Sequence, residues 1–174
     1  NAVPYSVIAG IDATSQKKLG VNISSNEKSG EKIWLLDWNE SPLKPAIGDP
    51  VGIEYFLPEV VGKPIEKKDS FQFAGYIPAD INLVDPEITP DFPGITDKLS
   101  LDSWNPPFPY DNKRIKPRDE KYWQDFRSVP KAFIDLDAAK NLWGSRFGKI
   151  TSIRVYPINL SFPTGFAADF QARL

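Results

Sequence analysis

The chain has 174 residues, no cysteine, no histidine and no methionine, and a formal net charge of −2. The missing thiols exclude disulfides and zinc–thiolate sites, and the missing imidazole excludes a Ser-His-Asp triad and removes the commonest metal ligand. The charge balance gives no electrostatic case for nucleic acid or an anionic membrane, and no apolar run approaches the roughly twenty residues a membrane span needs.

Taken in order, Val3 to Ile11 is apolar and β-branched and reads as a strand. Residues 12–30 are polar and read as a long loop. Lys32 to Trp38 (KIWLLDW) reads as a second strand, over about 32–37, and Ser41-Pro42 fits the start of one short helical turn. Gly48-Asp49 signals a turn into a third strand at 51–57. A fourth strand, 69–77, follows a charged loop. Alternation puts Phe71, Phe73 and Gly75 on one face and Gln72, Ala74 and Tyr76 on the other. The third and fourth strands are expected to pair as an antiparallel hairpin.

Residues 79–130 differ in kind. Nine of the 17 prolines fall from Pro78 to Pro130, and SWNPPFPYD (Ser103 to Asp111) can be neither a helix nor an inner strand. The aromatic content (Phe92, Trp104, Phe108, Tyr110) argues that the segment is an ordered insertion packed on the domain. A helix is expected at 118–127, with Tyr122, Trp123 and Phe126 on its packing face. Then come a strand at 132–136, an N-cap at Asp137, a helix at 138–143, a left-handed stop at Gly144 and a strand at 150–156. Pro163 starts a last helix, 164–174, with Phe166, Phe170 and Leu174 four residues apart. The fold class is α+β: a mixed, mostly antiparallel sheet, a few short helices and a long Pro/aromatic-rich insertion.

Chemistry is sparse. Carboxylates pair in sequence at Asp119/Glu120, Asp135/Asp137 and Asp85/Glu87, and surface charge or capping accounts for them more simply than glycosidase chemistry does. A calcium loop from Asp80, Asp85 and Glu87 would be interrupted by prolines and apolar residues. The basic residues Lys113, Arg114, Lys116, Arg118 and Lys121 alternate with acids, which favours local ion pairing. No phosphate-binding glycine pattern occurs. No catalytic residue, metal site or cofactor is therefore assigned. The one candidate binding set is Trp104, Phe108 and Tyr110, for a partner or, on a second reading, for the glycans of a secreted carbohydrate-binding or adhesion module.

Three stretches carry a resemblance. Phe133, Leu136, Ala139, Leu142, Trp143, Gly144, Thr151, Ser152, Ile153 and Val155 form a strand–helix–strand pattern. Ile47-Gly48-Asp49 precedes the hairpin. The longest match runs TPDFPGITD (89–97), W-x-PPFP (104–109), DE-x-YW (119–123) and PKAF (130–133). Together they resemble the extracytoplasmic domain of FtsX-like and MacB-like ABC transporter permeases. The resemblance covers nearly the whole chain and is weakest over 12–32. It implies a non-catalytic domain on the outer face of a bacterial membrane, coupling ATP-driven motion to export or lipoprotein release. It also implies partners: the membrane-spanning part of the same permease, a separate ABC ATPase subunit or domain, and a protein or lipoprotein outside. With no methionine start and no leader segment, residues 1–174 read as one extracytoplasmic domain from a larger membrane protein.

Overall fold

The structure, a computed structural model, describes residues 1–18, 32–57, 64–79, 85–145, 148–153 and 165–171. Its strands are β1 (Ile8–Ile11), β2 (Lys32–Asp37), β3 (Pro50–Leu57), β4 (Ile65–Pro78) and β5 (Ala132–Asp135). Its α-helices are α1 (Ala13–Lys18), α2 (Pro117–Phe126), α3 (Leu136–Trp143) and α4 (Phe166–Gln171). The strands form one mixed sheet in the order β1-β5-β2-β4-β3. β1–β5 and β2–β4 are parallel, while β5–β2 and the β3–β4 hairpin are antiparallel. The α+β class read from the sequence holds, with the pairings shared evenly between the two directions.

The central strand β2 explains the layering. Its run Ile33-Trp34-Leu35-Leu36 is buried throughout, so both faces of the sheet must be covered. Trp34 and Leu36 join Ile11, Trp38, Ile77, Tyr122, Val129 and Phe133 on the α2 side. Ile33 and Leu35 join Ile53, Phe71, Phe73, Ala132, Ile134, Ala138 and Ala139 on the α3 side. α3 lies close on β1, where a Cβ on Gly10 would overlap the Cβ of Ala139.

A β-bulge corrects the face assignment in β4. Ile33 faces Phe73, but Trp34 faces Gly75, so Ala74 is the extra residue. Beyond the bulge the alternation is inverted. Tyr76 falls on the same side as Phe73, with ring centroids 4.7 Å apart, and Ile77 enters the opposite core. Gly75 has φ 151°, a conformation that side-chain-bearing residues rarely adopt, and this makes the bulge possible.

Other expectations need correction. The first strand shortens to Ile8–Ile11, because Pro4 lacks a donor and Tyr5 turns the chain at φ 50°. Part of the expected loop after it is helical. Asp12 Oδ1 accepts from Ser15 N–H at 2.7 Å, Gln16 Nε2 donates to Ile11 O at 3.1 Å, and α1 grows from that cap; residues 19–31 lie outside the described set. No helix forms at Ser41-Pro42. There Ser41 N–H closes a turn onto Trp38 O at 3.0 Å, and Pro42 and Pro45 can donate nothing further. The α3 cap is Asp135, two residues earlier than expected; its Oδ1 accepts from Asp137 N–H at 2.8 Å. Gly144 is not left-handed (φ −58°), and a side chain there would strike the Lys140 carbonyl. Residues 150–153 are irregular rather than extended into a strand, while 154–156 lie outside the described residues. The last helix is described over Phe166–Gln171 only.

Candidate functional site

The insertion builds its own small core. Leu101, Trp104 and Trp123 are buried together, with Tyr5, Ile95, Tyr110 and Ile115 packed around them. Among its described residues three 3-10 turns break its path, each opened by a side chain accepting from the residue two ahead: Asp85, Ser100 and Asp111. Gly94 (φ 88°) allows Asn105 N–H to reach Gly94 O at 2.9 Å, where any Cβ would stand 2.6 Å from the Asn105 carbonyl oxygen. Arg127 closes the insertion onto α2. Its guanidinium donates to the carbonyls of Lys98 (2.7 Å), Thr96 (3.3 Å) and Leu99 (3.4 Å), and it lies 4.8 Å over the Trp123 ring.

The three aromatics singled out from the sequence come together here, in unequal settings. Trp104 is buried edge-to-face on Trp123 at 4.8 Å and stacked on Tyr110 at 5.9 Å. Tyr110 donates its hydroxyl to Leu101 O at 2.6 Å, and burial pushes its phenol up to about 12. Phe108 is half-buried between Tyr5 and Phe56, at 6.4 and 5.9 Å. Tyr5 ties the N-terminal segment to this group. Its ring lies 4.5 Å from Tyr110, and its hydroxyl accepts from Asp111 N–H at 2.7 Å. Among the described residues of the insertion, the large apolar side chains most open to solvent are Leu99 (81% exposed) and Phe92 (42%).

The sequence-adjacent carboxylates separate. Glu120 Oε2 accepts from Leu101 N–H at 2.9 Å and so faces the insertion. Asp119 turns the other way, its Oδ2 accepting from Lys116 N–H at 2.9 Å at the start of α2. Asp135 caps α3, Asp137 pairs with Lys140 at 3.0 Å, and Asp85 caps the turn at Glu87. Asp80 lies outside the described residues, among which no group of three candidate metal ligands occurs. Of the basic series, Lys121 makes a local ion pair with Asp125 at 2.8 Å, whereas Arg114 lies 5.8 Å over the distant Tyr5 ring rather than pairing with a neighbouring acid.

One charged group escaped the sequence reading. Lys131 directly precedes β5 and is pinned by backbone bonds on both sides, donating to Val7 O and accepting from Leu36 N–H, each at 2.9 Å. Its Nζ lies 4.4 Å from the Tyr122 ring centroid and 5.6 Å from that of Trp38. Those two rings meet edge-to-face at 5.0 Å, and the Tyr122 hydroxyl donates to Val129 O at 3.1 Å. Asp119, 1% exposed, acts electrostatically on Lys131 while its Oδ1 is buried without a hydrogen-bond partner. Arg118 Nε is likewise buried without one. Burial lowers the Lys131 ammonium to about 8; the Asp119 carboxylate opposes that shift and the Arg118 guanidinium reinforces it. The sequence signal was a lysine directly before an apolar strand, which alone says nothing about where its amine goes.

Next to this cluster a cleft of about 490 Å³ opens between α2 and the carboxyl ends of the parallel strands β2 and β4. Asp37, Trp38, Glu40, Arg118, Tyr122 and Asp125 are among the residues lining it. No family model matches the chain, and no curated protein or solved structure matches it either.

Proposed function

We propose that this chain is a non-catalytic extracytoplasmic domain of an FtsX-like or MacB-like ABC permease, held outside a bacterial membrane. In that role it couples ATP-driven motion of the membrane part to export or lipoprotein release. The reading rests on the resemblance of residues 89–133, and one observation carries it further. The four blocks of that motif touch one another. Gly94 bonds Asn105, Trp104 packs on Trp123, Trp123 Nε1 donates to Lys98 O at 3.1 Å, and Lys131 sits over Tyr122. A motif dispersed over forty-odd positions but joined in space is what a single structural unit requires. A relay of motion needs such a unit, because strain passes through packed elements and is lost in loose ones.

Within this reading the partners are the permease's own membrane spans, a separate ATPase subunit or domain, and a protein or lipoprotein outside. The aromatic insertion around Trp104, Phe108 and Tyr110 is the surface assigned to that outside partner. Of its described rings Phe92 is exposed, Phe108 and Tyr110 are half-buried, and Trp104 is buried.

The test is the reading frame on either side of these residues. At least one apolar span of about twenty residues is expected before Val3 and several after Leu174, with lysine and arginine enriched at their cytoplasmic ends. A parent chain with a secretion signal and no further span would reject the permease reading.

A further inference from the structure

β3 closes one end of the sheet, and no described strand lies beyond it. The strand at the other end, β1, is short: four residues between the Tyr5 turn and α1. β3 runs for eight residues and pairs with β4 in unbroken antiparallel register, from Pro50 opposite Gln72 to Leu57 opposite Ile65. One hydrogen bond gives the direction of its free backbone groups. Phe73 N–H donates to Asp49 O at 2.8 Å, and the register carried one step back sets these two residues opposite. Hydrogen-bonded pairs alternate along an antiparallel ladder, so Val51, Ile53, Tyr55 and Leu57 bond to β4. Pro50, Gly52, Glu54 and Phe56 therefore aim their backbone groups away from the sheet, and the last three each offer an N–H and a C=O there. Such a row is a template for another strand. The side chains beside it indicate which strand. Ile53 is buried in the core on the α3 side with Val51 and Tyr55 half-buried against it, so that apolar layer runs out to the edge and stops. On the opposite face Pro50, Gly52 and Glu54 are exposed, and Glu54 holds Lys68 at 2.6 Å.

We propose that β3 is a homodimer interface, pairing antiparallel with the β3 of a second copy about a two-fold axis at Ile53. This register sets Ile53 opposite Ile53, Val51 opposite Tyr55, Gly52 opposite Glu54 and Pro50 opposite Phe56. The same residues meet in both directions, as a two-fold contact requires. Ile53–Ile53 and the β-branched–aromatic pair Val51–Tyr55 fall at the non-hydrogen-bonded positions, where side chains approach most closely. Gly52 and Glu54 exchange both backbone bonds, and Phe56 N–H reaches Pro50 O, so the N–H that proline lacks is missed only at the two ends. An axis at Glu54 would set two carboxylates directly opposite, which is destabilising. Axes at Gly52 or Tyr55 would pair only residues 50–54 or 53–57 of the strand. In the pairing centred on Ile53 the two sheets become one, and the half-buried Val51 and Tyr55 gain a neighbour. None of this depends on the permease reading.

The test uses the 174-residue chain, with sedimentation from about 1 μM to about 1 mM and amide hydrogen exchange read residue by residue. A concentration-dependent dimer is expected, in which the Gly52, Glu54 and Phe56 amides exchange at least about tenfold more slowly than in the monomer. Gly52→Pro removes an outward N–H and leaves the bonds to β4, so it should give a monomer with wild-type circular dichroism. Should that variant fail to fold, charge at the same position decides, because a side chain on Gly52 would meet nothing within 4 Å. Gly52→Lys would face Glu54 of the second copy and should tighten the dimer about two- to thirtyfold, since the pair forms twice about the axis; Gly52→Glu should weaken it by a similar factor. The same charges placed at the exposed Gln124 on α2 should leave the dimer unchanged. A chain still monomeric at about 1 mM overturns the proposal. So does a dimer in which those three amides exchange as in the monomer, or in which the two charges at position 52 act alike.

Discussion

The close approach of α3 to β1 permits a quantitative test through Gly10. A Cβ on Gly10 would overlap the Cβ of Ala139, while its next neighbours, Leu136 Cα at 3.5 Å and Ala139 Cα at 3.7 Å, are at ordinary contact. The obstruction is therefore a single methyl. Gly10→Ala should cost about 1–3 kcal/mol, the usual range for forcing one carbon into a packed interface. Ala139→Gly should cost about 2 kcal/mol, from a mid-helix glycine and a lost buried methyl. The double variant moves the methyl from helix to strand and keeps the space filled, so it should lose only about 1 kcal/mol, the helix glycine term. The predicted coupling is thus about 2–4 kcal/mol, against roughly 0.5 kcal/mol for independent sites. Urea unfolding with a constant m-value measures it. If the single effects simply add, α3 and β1 are not packed through Gly10, and the cover on that face of the sheet is wrong.

Trp123→Ala should destabilise by about 3–5 kcal/mol, whereas Trp143→Ala, half-buried and 5.8 Å edge-to-face on Tyr55, should cost only about 1–3 kcal/mol; equal losses would refute that ranking. Gly94→Ala, which sets a Cβ against the Asn105 carbonyl, should speed amide exchange over 92–105 while leaving β2 protected. Folded Lys131 titrates at about 8, below an unfolded lysine at about 10.4, so between these values the unfolded chain holds the extra proton and stability rises with pH. The rise should be visible from about pH 8 to about pH 10, before Tyr55 and Tyr110, each raised to about 12, impose the opposite slope. Lys131→Met should flatten it, and a profile unchanged by that substitution would place the amine in water. Thermal melts with and without a chelator should coincide; a large drop with chelator would instead reveal a calcium site.

What the sequence disclosed follows from how local each signal is. β2 could be read to within a residue because an apolar run ending at Asp37-Trp38-Asn39 has few other uses. Helix α2 was legible from Tyr122, Trp123 and Phe126, and the hairpin from two strands meeting across one loop. α1 was not legible, since its residues offer no apolar period and its start depends on Asp12 meeting the Ser15 amide. Asp135 and Asp137 are chemically equal candidates for one cap, and only the path of β5 chooses between them. The bulge at Ala74 was hidden because a glycine in a strand reads the same whether or not the register slips there. The Lys131 cluster was hidden for a different reason: its members, at 38, 118–122 and 131, come from just past β2, from α2 and from just before β5, and only the packing of α2 on the sheet assembles them.

The pairing of β1 with β5 also sets a schedule. Ile8 lies opposite Ala132, so the first strand of the chain cannot find its place until 124 further residues have been made. At roughly 5–20 residues per second of synthesis, Ile8–Ile11 waits about 6–25 s as an unsatisfied apolar strand. During that interval the β3–β4 hairpin can close, and β2 can join it, since neither requires β5. The nascent chain therefore holds a three-stranded platform whose β2 edge is open, with its intended neighbour not yet synthesised. A chaperone acting on this protein would find its client sequence at Ile8–Ile11, and slowing translation after β4 should lengthen that dependence in proportion.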